Sequence, residues 1–356
     1  MEHCLRLAKQ GQGGTSPNPL VGCVIVKDGV VVGEGYHKKA GGPHAEVWAL
    51  QAAGDRAVDA TLYVNLEPCC YYGRTPPCTE AIIRAGIGRV VIGMEDPNPK
   101  VAGMGVAQLE SAGIQVTMGI CEAEAKSLNE IFIKFISKKQ PFVLWKAACS
   151  LDGKIAVANG DARWVTGAPA RAEVHRTRAY LDGILVGSGT VLMDDPLLTV
   201  RPLPDGRRQP VRIVLDGRGR IPATAKVFNS LAGGHTIWVV GQGACVDQSY
   251  SGDVSVLYSP EPTIDLAWLV TTLGQQGITS LLLEGGPTVA ASFWQAQLID
   301  KVQFYLAPKL IGQEGIAVLG NLGNVRMSAI DQLQAIKVRT VGDDICIEAY
   351  PNWVRL

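Results

Sequence analysis

The sequence is poor in the features that mark several protein classes. Aromatic residues make up only 6% of 356, and charged residues 19% against 47% hydrophobic. That balance excludes disordered, collagen-like and coiled-coil chains. No apolar run approaches the roughly 18 residues of a membrane span, and Met1-Glu2-His3-Cys4-Leu5-Arg6 lacks the basic-then-apolar order of a secretory signal. A soluble, cytoplasmic protein is expected. Neither sign of charge is in excess: residues 1–143 carry 14 basic and 14 acidic side chains, and residues 144–356 carry 19 of each. This counts against a mainly electrostatic nucleic-acid binder and favours a small anionic metabolite held in a local pocket. Nine cysteines, irregularly spaced, are too few for a disulfide framework. No Gly-x-Gly-x-x-Gly follows a first strand, which removes a Rossmann site, and no repeat of 20 to 50 residues is present.

What the chain does contain is two α/β halves. In the first, Val21–Lys27 and Val30–Gly35 flank Asp28-Gly29, a strong hairpin signal. A helix is expected over His44–Ala57, a strand over Thr61–Asn65, a helix over Cys78–Ala85, a strand over Arg89–Gly93 and helices over Ala102–Gly113 and 122–136. Lys138-Lys139-Gln140-Pro141 makes a polar break, which sets domains of 1–141 and 142–356. The second half restarts with Phe142–Ala148. Further strand-like runs follow at Gly183–Val186, Val211–Leu215, Thr236–Val240, Ser280–Leu283, Lys301–Ala307 and Ile345–Ala349, with helical patterns at Pro169–Tyr180, Ile264–Gln275 and Pro287–Gln297. Stretches 202–209 and 241–253 read as surface loops.

Three cysteines fall within ten residues, and two of them complete a chemical pattern. His44-Ala45-Glu46 opens a helix, Pro68-Cys69 follows 25 residues later, and Cys78 opens a second helix. One imidazole and two thiolates leave a fourth tetrahedral position open, the arrangement of a catalytic zinc, which supplies an activated water near neutral pH. Glu46 is placed to carry the proton from that water to a leaving amine, the logic of the zinc deaminases. Cys70, adjacent to Cys69, is assigned a structural role. Eight residues separate the two ligand cysteines, counting Cys70 to Pro77, not the two of the nucleic-acid deaminase signature. A nucleic-acid deaminase is disfavoured by that spacing and by the missing basic groove. A scaffold with a purely structural zinc is disfavoured by Glu46.

In the second half, Lys146 lies on a strand that runs into a polar turn, and Gly285-Gly286-Pro287-Thr288 lies between a strand and a helix, where backbone amides suit a phosphate. Lys146 is either a proton donor near a sugar or a satisfied lysine at the core edge. Asp194 and Asp195, if extended, point opposite ways, so one at most enters a site. His175 and His235 read as surface or core histidines.

These strings together resemble the bifunctional riboflavin-biosynthesis deaminase-reductase family. The resemblance rests on Ser16-Pro17-Asn18-Pro19-Leu20-Val21-Gly22, Gly42-Pro43-His44-Ala45-Glu46-Val47, Leu66-Glu67-Pro68-Cys69 with Tyr72 to Cys78, and Asp96-Pro97-Asn98-Pro99-Lys100. In the second half it rests on Trp164-Val165-Thr166-Gly167, Val186 to Leu192, Asp194 to Arg201 and Leu283 to Thr288. It implies a three-layer cytidine-deaminase-like domain that removes the 2-amino group of a diaminopyrimidinone ribosylamine phosphate. A dihydrofolate-reductase-like domain then reduces the ribosyl group to ribityl with NADPH. By the same resemblance His44, Cys69 and Cys78 hold zinc, Glu46 moves the proton and Asn18 holds the pyrimidine, while Arg74, Asp96 and Asn98 meet the ribose-phosphate end. Ala148, Trp164, Thr190, Asp194, Gly286, Pro287 and Thr288 face NADPH, and Arg178, Leu198, Arg201 and Glu284 face the reductase substrate. A homodimer or higher homo-oligomer is implied too. Two positions depart from the family: Tyr71 stands where His is usual, which leaves open a reading in which only the reductase is active, and Ala162 stands where Ser is frequent.

Overall fold

The Asp28-Gly29 turn folds β1 (Gly22–Lys27) and β2 (Val30–Tyr36) into an antiparallel pair, with both turn residues at positive φ, 51° and 78°, as a two-residue hairpin requires. This hairpin belongs to the first of two units into which the chain divides, Met1–Lys139 and Gln140–Leu356. The structure, a computed structural model, describes every residue except Arg74, 205–206, 230–232, 324–325 and 355–356, together with the side chain of Ala329.

In the first unit β3 (Thr61–Leu66), β4 (Arg89–Met94) and β5 (Gln115–Thr117) complete a sheet of order β2-β1-β3-β4-β5, antiparallel across β1 and parallel from β3 onward. The period of two divides the side chains between its faces. Cys23, Ile25, Leu62 and Ile92 pack against Ala45, Ala49 and Ala53 of α2 (Ala45–Ala53), Ile82 of α3 (Cys78–Arg84) and Leu109 of α4 (Met104–Ser111). Across the sheet Val24 meets Cys4 and Leu7 of α1 (Glu2–Lys9), and at the carboxyl ends of β3 and β4 Leu66 and Met94 cluster with Leu5 of α1 and Ala125 of α5 (Glu122–Leu128). The result is three layers. The single helix expected over 122–136 is two, α5 and α6 (Glu130–Lys138), because Asn129 leaves helical geometry at φ −107° and its side chain bonds both the amide and the carbonyl of Leu20. Likewise the α-helix expected over His44–Ala57 stops at Ala53, and a 3₁₀ turn, Gly54–Ala57, finishes it.

The second unit is built on a sheet of order β11-β10-β9-β8-β12-β6-β13-β16-β15. Its strands are β6 (Phe142–Ser150), β8 (Gly183–Gly187), β9 (Val211–Leu215), β10 (Thr236–Val240), β11 (Val254–Tyr258), β12 (Ser280–Leu283), β13 (Lys301–Ala307), β15 (Leu333–Val341) and β16 (Asp344–Pro351). The first seven in that order run parallel, and β16 and β15 continue antiparallel. A small ladder, β7 (Lys154–Ala156) with β14 (Ile316–Ala317), stands apart. β8, β10 and β12 are buried throughout, as parallel strands covered on both faces must be. The covering helices are α7 (Ala168–Tyr180), α8 (Ser188–Asp194), α9 (Leu266–Gln275) and α10 (Pro287–Gln295). Asp265 caps α9 by accepting from the amides of Ala267 and Trp268.

One local expectation is corrected. Asp194 and Asp195 are not extended: Asp194 ends α8 and Asp195 is its C-cap at φ 40°. Asp195 accepts from the Lys226 amide and pairs with its ammonium, while Asp194 lines a recess with Asn159, Asp161, Ala162, Arg163 and Met193. Among the described residues no helix is long and apolar enough to cross a membrane.

Candidate functional site

In the first unit, three elements deliver three ligand-bearing side chains to one point. His44 is the N-cap of α2, Cys69 follows β3, and Cys78 is the first residue of α3. Their ligand atoms lie within 4.8 Å of one another, with His44 Nδ1 3.2 Å from Cys78 Sγ and 3.5 Å from Cys69 Sγ. Tetrahedral zinc, with bonds of about 2.0 Å to nitrogen and 2.3 Å to sulfur, puts such donors about 3.6 Å apart, so the donor set fits the ion. Hydrogen bonds from Cys78 and His44 outweigh burial and hold the Cys69 thiol well below its ordinary range, toward the thiolate that a metal needs. Cys70 is not part of the cluster; its thiol points to the Lys100 carbonyl at 3.8 Å. Glu46, in the first turn of α2, is 3% exposed, burial raises its carboxyl, and among the described residues Oε2 has no hydrogen-bond partner.

This point is the floor of a cavity of about 450 Å³. Asn18, Asp96 and Asn98 line it together with His44, Glu46 and Cys69, so six of the sequence-predicted residues converge. Arg74 lies outside the described residues. Tyr71, at the position where the resemblance leads one to expect His, lines the same cavity as Asn98.

Several contributors escape sequence reasoning. His37, buried at 2% exposure, faces Asn18 Nδ2 with Nε2 at 3.1 Å and the Pro43 carbonyl with Nδ1 at 3.1 Å. Burial lowers its pKa, so the neutral ring donates from Nδ1 to Pro43 and accepts from the Asn18 amide, which turns the Asn18 oxygen toward the cavity. Glu67 buries its carboxylate beneath the loop that carries Asp96 and Asn98, accepting from the amides of Asp96, Gly103 and Val106. Phe132, Phe135 and Ile136 of α6 supply an apolar wall.

In the second unit the register of β6 against β12 places Leu283 beside Trp145, so the next pair is Lys146 and Glu284. Lys146 Nζ stands 3.7 Å from Glu284 Oε1, and the Arg178 guanidinium donates twice to Oε2, at 3.0 and 2.6 Å. Burial pushes the Glu284 carboxyl up, but Arg178 and Lys146 outweigh it and leave it below its ordinary value; burial lowers the Lys146 ammonium. Ala148 lies two residues along the same face of β6 as Lys146. Leu198, buried, is held at φ 51°, a conformation uncommon for leucine, and Arg201 beyond it is exposed.

At the carboxyl ends of β8 and β12, Gly187 and Gly285 both lie against Val289 of α10: a Cβ on the first would stand 2.6 Å from Val289 Cγ2, and on the second 2.9 Å from Val289 Cβ. With Gly286 as the N-cap of α10, Pro287 and Thr288 in its first turn, and Thr190 across from Gly286, this is a backbone-lined cradle at a helix start. Free backbone amides at such a helix start suit a phosphate group. Trp164 is 62% exposed, its ring faced by the Arg171 guanidinium at 4.5 Å and its carbonyl bonded by Lys309. His235 is occupied with Asp253 and Ser255, away from these groups. Ala162 lies in the Asp194 recess and offers no hydroxyl there.

Comparison with known proteins agrees with this division. Residues 1–94 match the family model for the cytidine and deoxycytidylate deaminase zinc-binding region, and residues 141–347 match that for the RibD C-terminal domain. The chain is 42% identical over 360 residues to riboflavin biosynthesis protein RibD of Escherichia coli, covering 98% of this chain and 97% of that protein. To RibD of Aquifex aeolicus it is 43% identical, covering 98% and 96%. Among solved structures it is similar to Acinetobacter baumannii RibD (41% identity, TM-score 0.89, 99% and 97% covered). It is also similar to the diaminohydroxyphosphoribosylaminopyrimidine deaminase/5-amino-6-(5-phosphoribosylamino)uracil reductase of Thermotoga maritima (38%, TM-score 0.88, 99% and 97%). The first unit is thus cytidine-deaminase-like and the second has the dihydrofolate-reductase-like fold of the RibD C-terminal domain.

Proposed function

The chain belongs to the RibD family and is a bifunctional deaminase and reductase of riboflavin biosynthesis, and on that premise we propose how its own residues divide the work. Residues 1–141 form the zinc-dependent deaminase domain and residues 142–356 the NADPH-dependent reductase domain. The substrate of the first is the diaminopyrimidinone ribosylamine 5′-phosphate. The observation that carries this reading is the opening of the His44, Cys69 and Cys78 cluster, with Glu46 beside it, into the cavity that also holds Asn18 and Asp96.

Zinc on His44, Cys69 and Cys78 supplies, when bound, a water acidic enough to lose a proton near neutral pH. Glu46 accepts that proton at Oε2 and returns it to the departing amine, so one water is consumed and one ammonia leaves. Asn18, held by His37, presents an amide oxygen to the pyrimidine, while Asp96, Asn98 and Arg74 take the ribose-phosphate end. In the second domain NADPH, when bound, supplies a hydride. Gly286, Pro287 and Thr288 hold its phosphates, and Ala148, Trp164, Thr190 and Asp194 line its path. Arg178, Leu198, Arg201 and Glu284 hold the deaminated substrate. Lys146, kept in place by Glu284, holds a proton at Nζ for the sugar oxygen as the ribose opens. The enzyme works in the cytoplasm as a homo-oligomer. Support for the latter comes from β15, an edge strand on which Ile336 and Val338 stand 59% and 63% exposed.

Glu46→Gln tests the deaminase assignment. Zinc content should stay stoichiometric while turnover falls by about 10²- to 10⁴-fold, the usual worth of general acid–base catalysis. Full activity in the zinc-loaded variant would sink the assignment.

A further inference from the structure

On α7, Arg171, His175 and Arg178 are spaced four and three residues apart and share one face. Arg171 reaches the Trp164 ring and donates to the Thr166 carbonyl, and Arg178 grips Glu284. His175 therefore stands between the residue that touches the cofactor side and the residue that touches the substrate side. Its Nδ1 is enclosed and, among the described residues, has no hydrogen-bond partner. The charges that act on it are those of Arg178 on its own helix, Arg201 from beyond α8, Glu284 from beyond β12 and Lys146 from β6. Three cations against one carboxylate leave an excess of positive charge around a ring that also lacks a partner.

We infer that His175 is a substrate-binding residue of the reductase site and takes up a proton from solvent as the phosphorylated substrate binds. The inference rests on the placement of the substrate at Arg178 and Arg201 given above. In the enzyme without substrate, burial and then the Arg178 and Arg201 charges hold the imidazole below its ordinary pKa, so it is neutral near pH 7. A phosphate dianion cancels the excess charge that kept it so, and the imidazolium gains a counterion.

The test uses the full-length enzyme with NADPH and the deaminated phosphorylated substrate, comparing wild type with His175→Gln and His175→Asn, which keep an amide donor but cannot take a proton. The phosphate's own second ionisation, near about 6, is common to all three enzymes and cancels in the ratio of their substrate KM values. That variant-to-wild-type ratio should grow roughly three- to ten-fold from about pH 8 to about pH 6, a tenfold change corresponding to one unit of imidazole shift. With the unphosphorylated substrate it should stay flat. Titration calorimetry of substrate with the enzyme and oxidised cofactor, in two buffers of different ionisation enthalpy, should show proton uptake by wild type that shrinks in both variants. NADPH affinity should be unchanged. A flat ratio with equal proton uptake in all three enzymes overturns the inference. Arg201→Ala separates the two levels: if it raises substrate KM while His175 behaves as inert, only the role of His175 fails; if it weakens NADPH and leaves substrate KM alone, the substrate placement itself fails.

Discussion

Asp96 is 7% exposed, with one carboxylate oxygen accepting from the Asn98 amide, and burial pushes its carboxyl up to about 6. The fold thus binds a proton on Asp96 more tightly than the unfolded chain does. Its contribution to stability falls as pH rises from the ordinary carboxyl value near 4 to about 6, and the ionised form at neutral pH is held at a cost. Asp96→Asn should therefore stabilise the protein near neutral pH, on the order of 1–3 kcal/mol in thermal or denaturant unfolding. In function the sign is reversed, because only the carboxylate accepts hydroxyl hydrogen bonds with both oxygens. Deaminase KM should rise as pH falls through about 6, and Asp96→Asn should show the higher KM at every pH with that dependence gone; a variant that retained it would assign the titration to another group. The identity of Asp96 was legible in Asp-Pro-Asn-Pro. Its environment was not, since the burial arises from a distant carboxylate, Glu67, that gathers the loop from beneath. His37 escaped for the same reason: a lone histidine in sequence says nothing until the fold brings Asn18 to one ring nitrogen and Pro43 to the other.

Elements were legible where burial imposes a pattern. β9, β10, β12 and β13 fall on the runs that predict them; β10 and β12, parallel strands covered on both faces, are almost wholly apolar, whereas β9 carries Arg212 and β13 carries Lys301 and Gln303. β5 and β11 were missed, being short or only half-buried, and so was β15, mostly exposed at the sheet edge, where burial leaves no alternation to read. α8 was missed as a helix because Ser188-Gly189-Thr190 is a poor helix start by propensity. Its position is set instead by tertiary contact, through the absence of a side chain at Gly187 that lets the end of β8 meet Val289. Gly187 sits at φ −92°, where alanine is tolerated, so the cost of Gly187→Ala comes from packing alone. Overpacking of about 1–3 kcal/mol should part α8 from α10 and spoil the cradle. The expected result is an NADPH Kd raised about ten-fold or more, with zinc content and deaminase turnover unchanged, read by fluorescence titration and metal analysis. An NADPH affinity equal to wild type would remove the cradle from the cofactor site.

For the molecule as a whole, the division at Lys139 and Gln140 places His44, Glu46, Cys69 and Cys78 in one unit and Lys146, Arg178 and Glu284 in the other. Each unit has its own sheet and its own apolar core, Ile25, Leu62 and Ile92 in the first and Val143, Leu185 and Leu281 in the second. α6 ends at Lys138 and β6 begins at Phe142, and between them Pro141 has no backbone N–H to donate to either element. Independent cores predict independent chemistry. Removing zinc takes away a ligand that binds the native first unit, which lowers that unit's stability by linkage but leaves the Lys146, Arg178 and Glu284 constellation untouched. Chelation should therefore abolish deamination, while NADPH oxidation on already deaminated substrate changes by less than about two-fold, a difference within the scatter of surface effects on stability. Readdition of zinc should restore the first activity alone. The measurement is both turnovers on one preparation, with circular dichroism to establish that the chain remains folded. Reductase turnover that fell in step with zinc content in folded protein would mean that the metal organises more than the pocket it occupies, and that the two reactions share a structural dependence the separate cores do not provide.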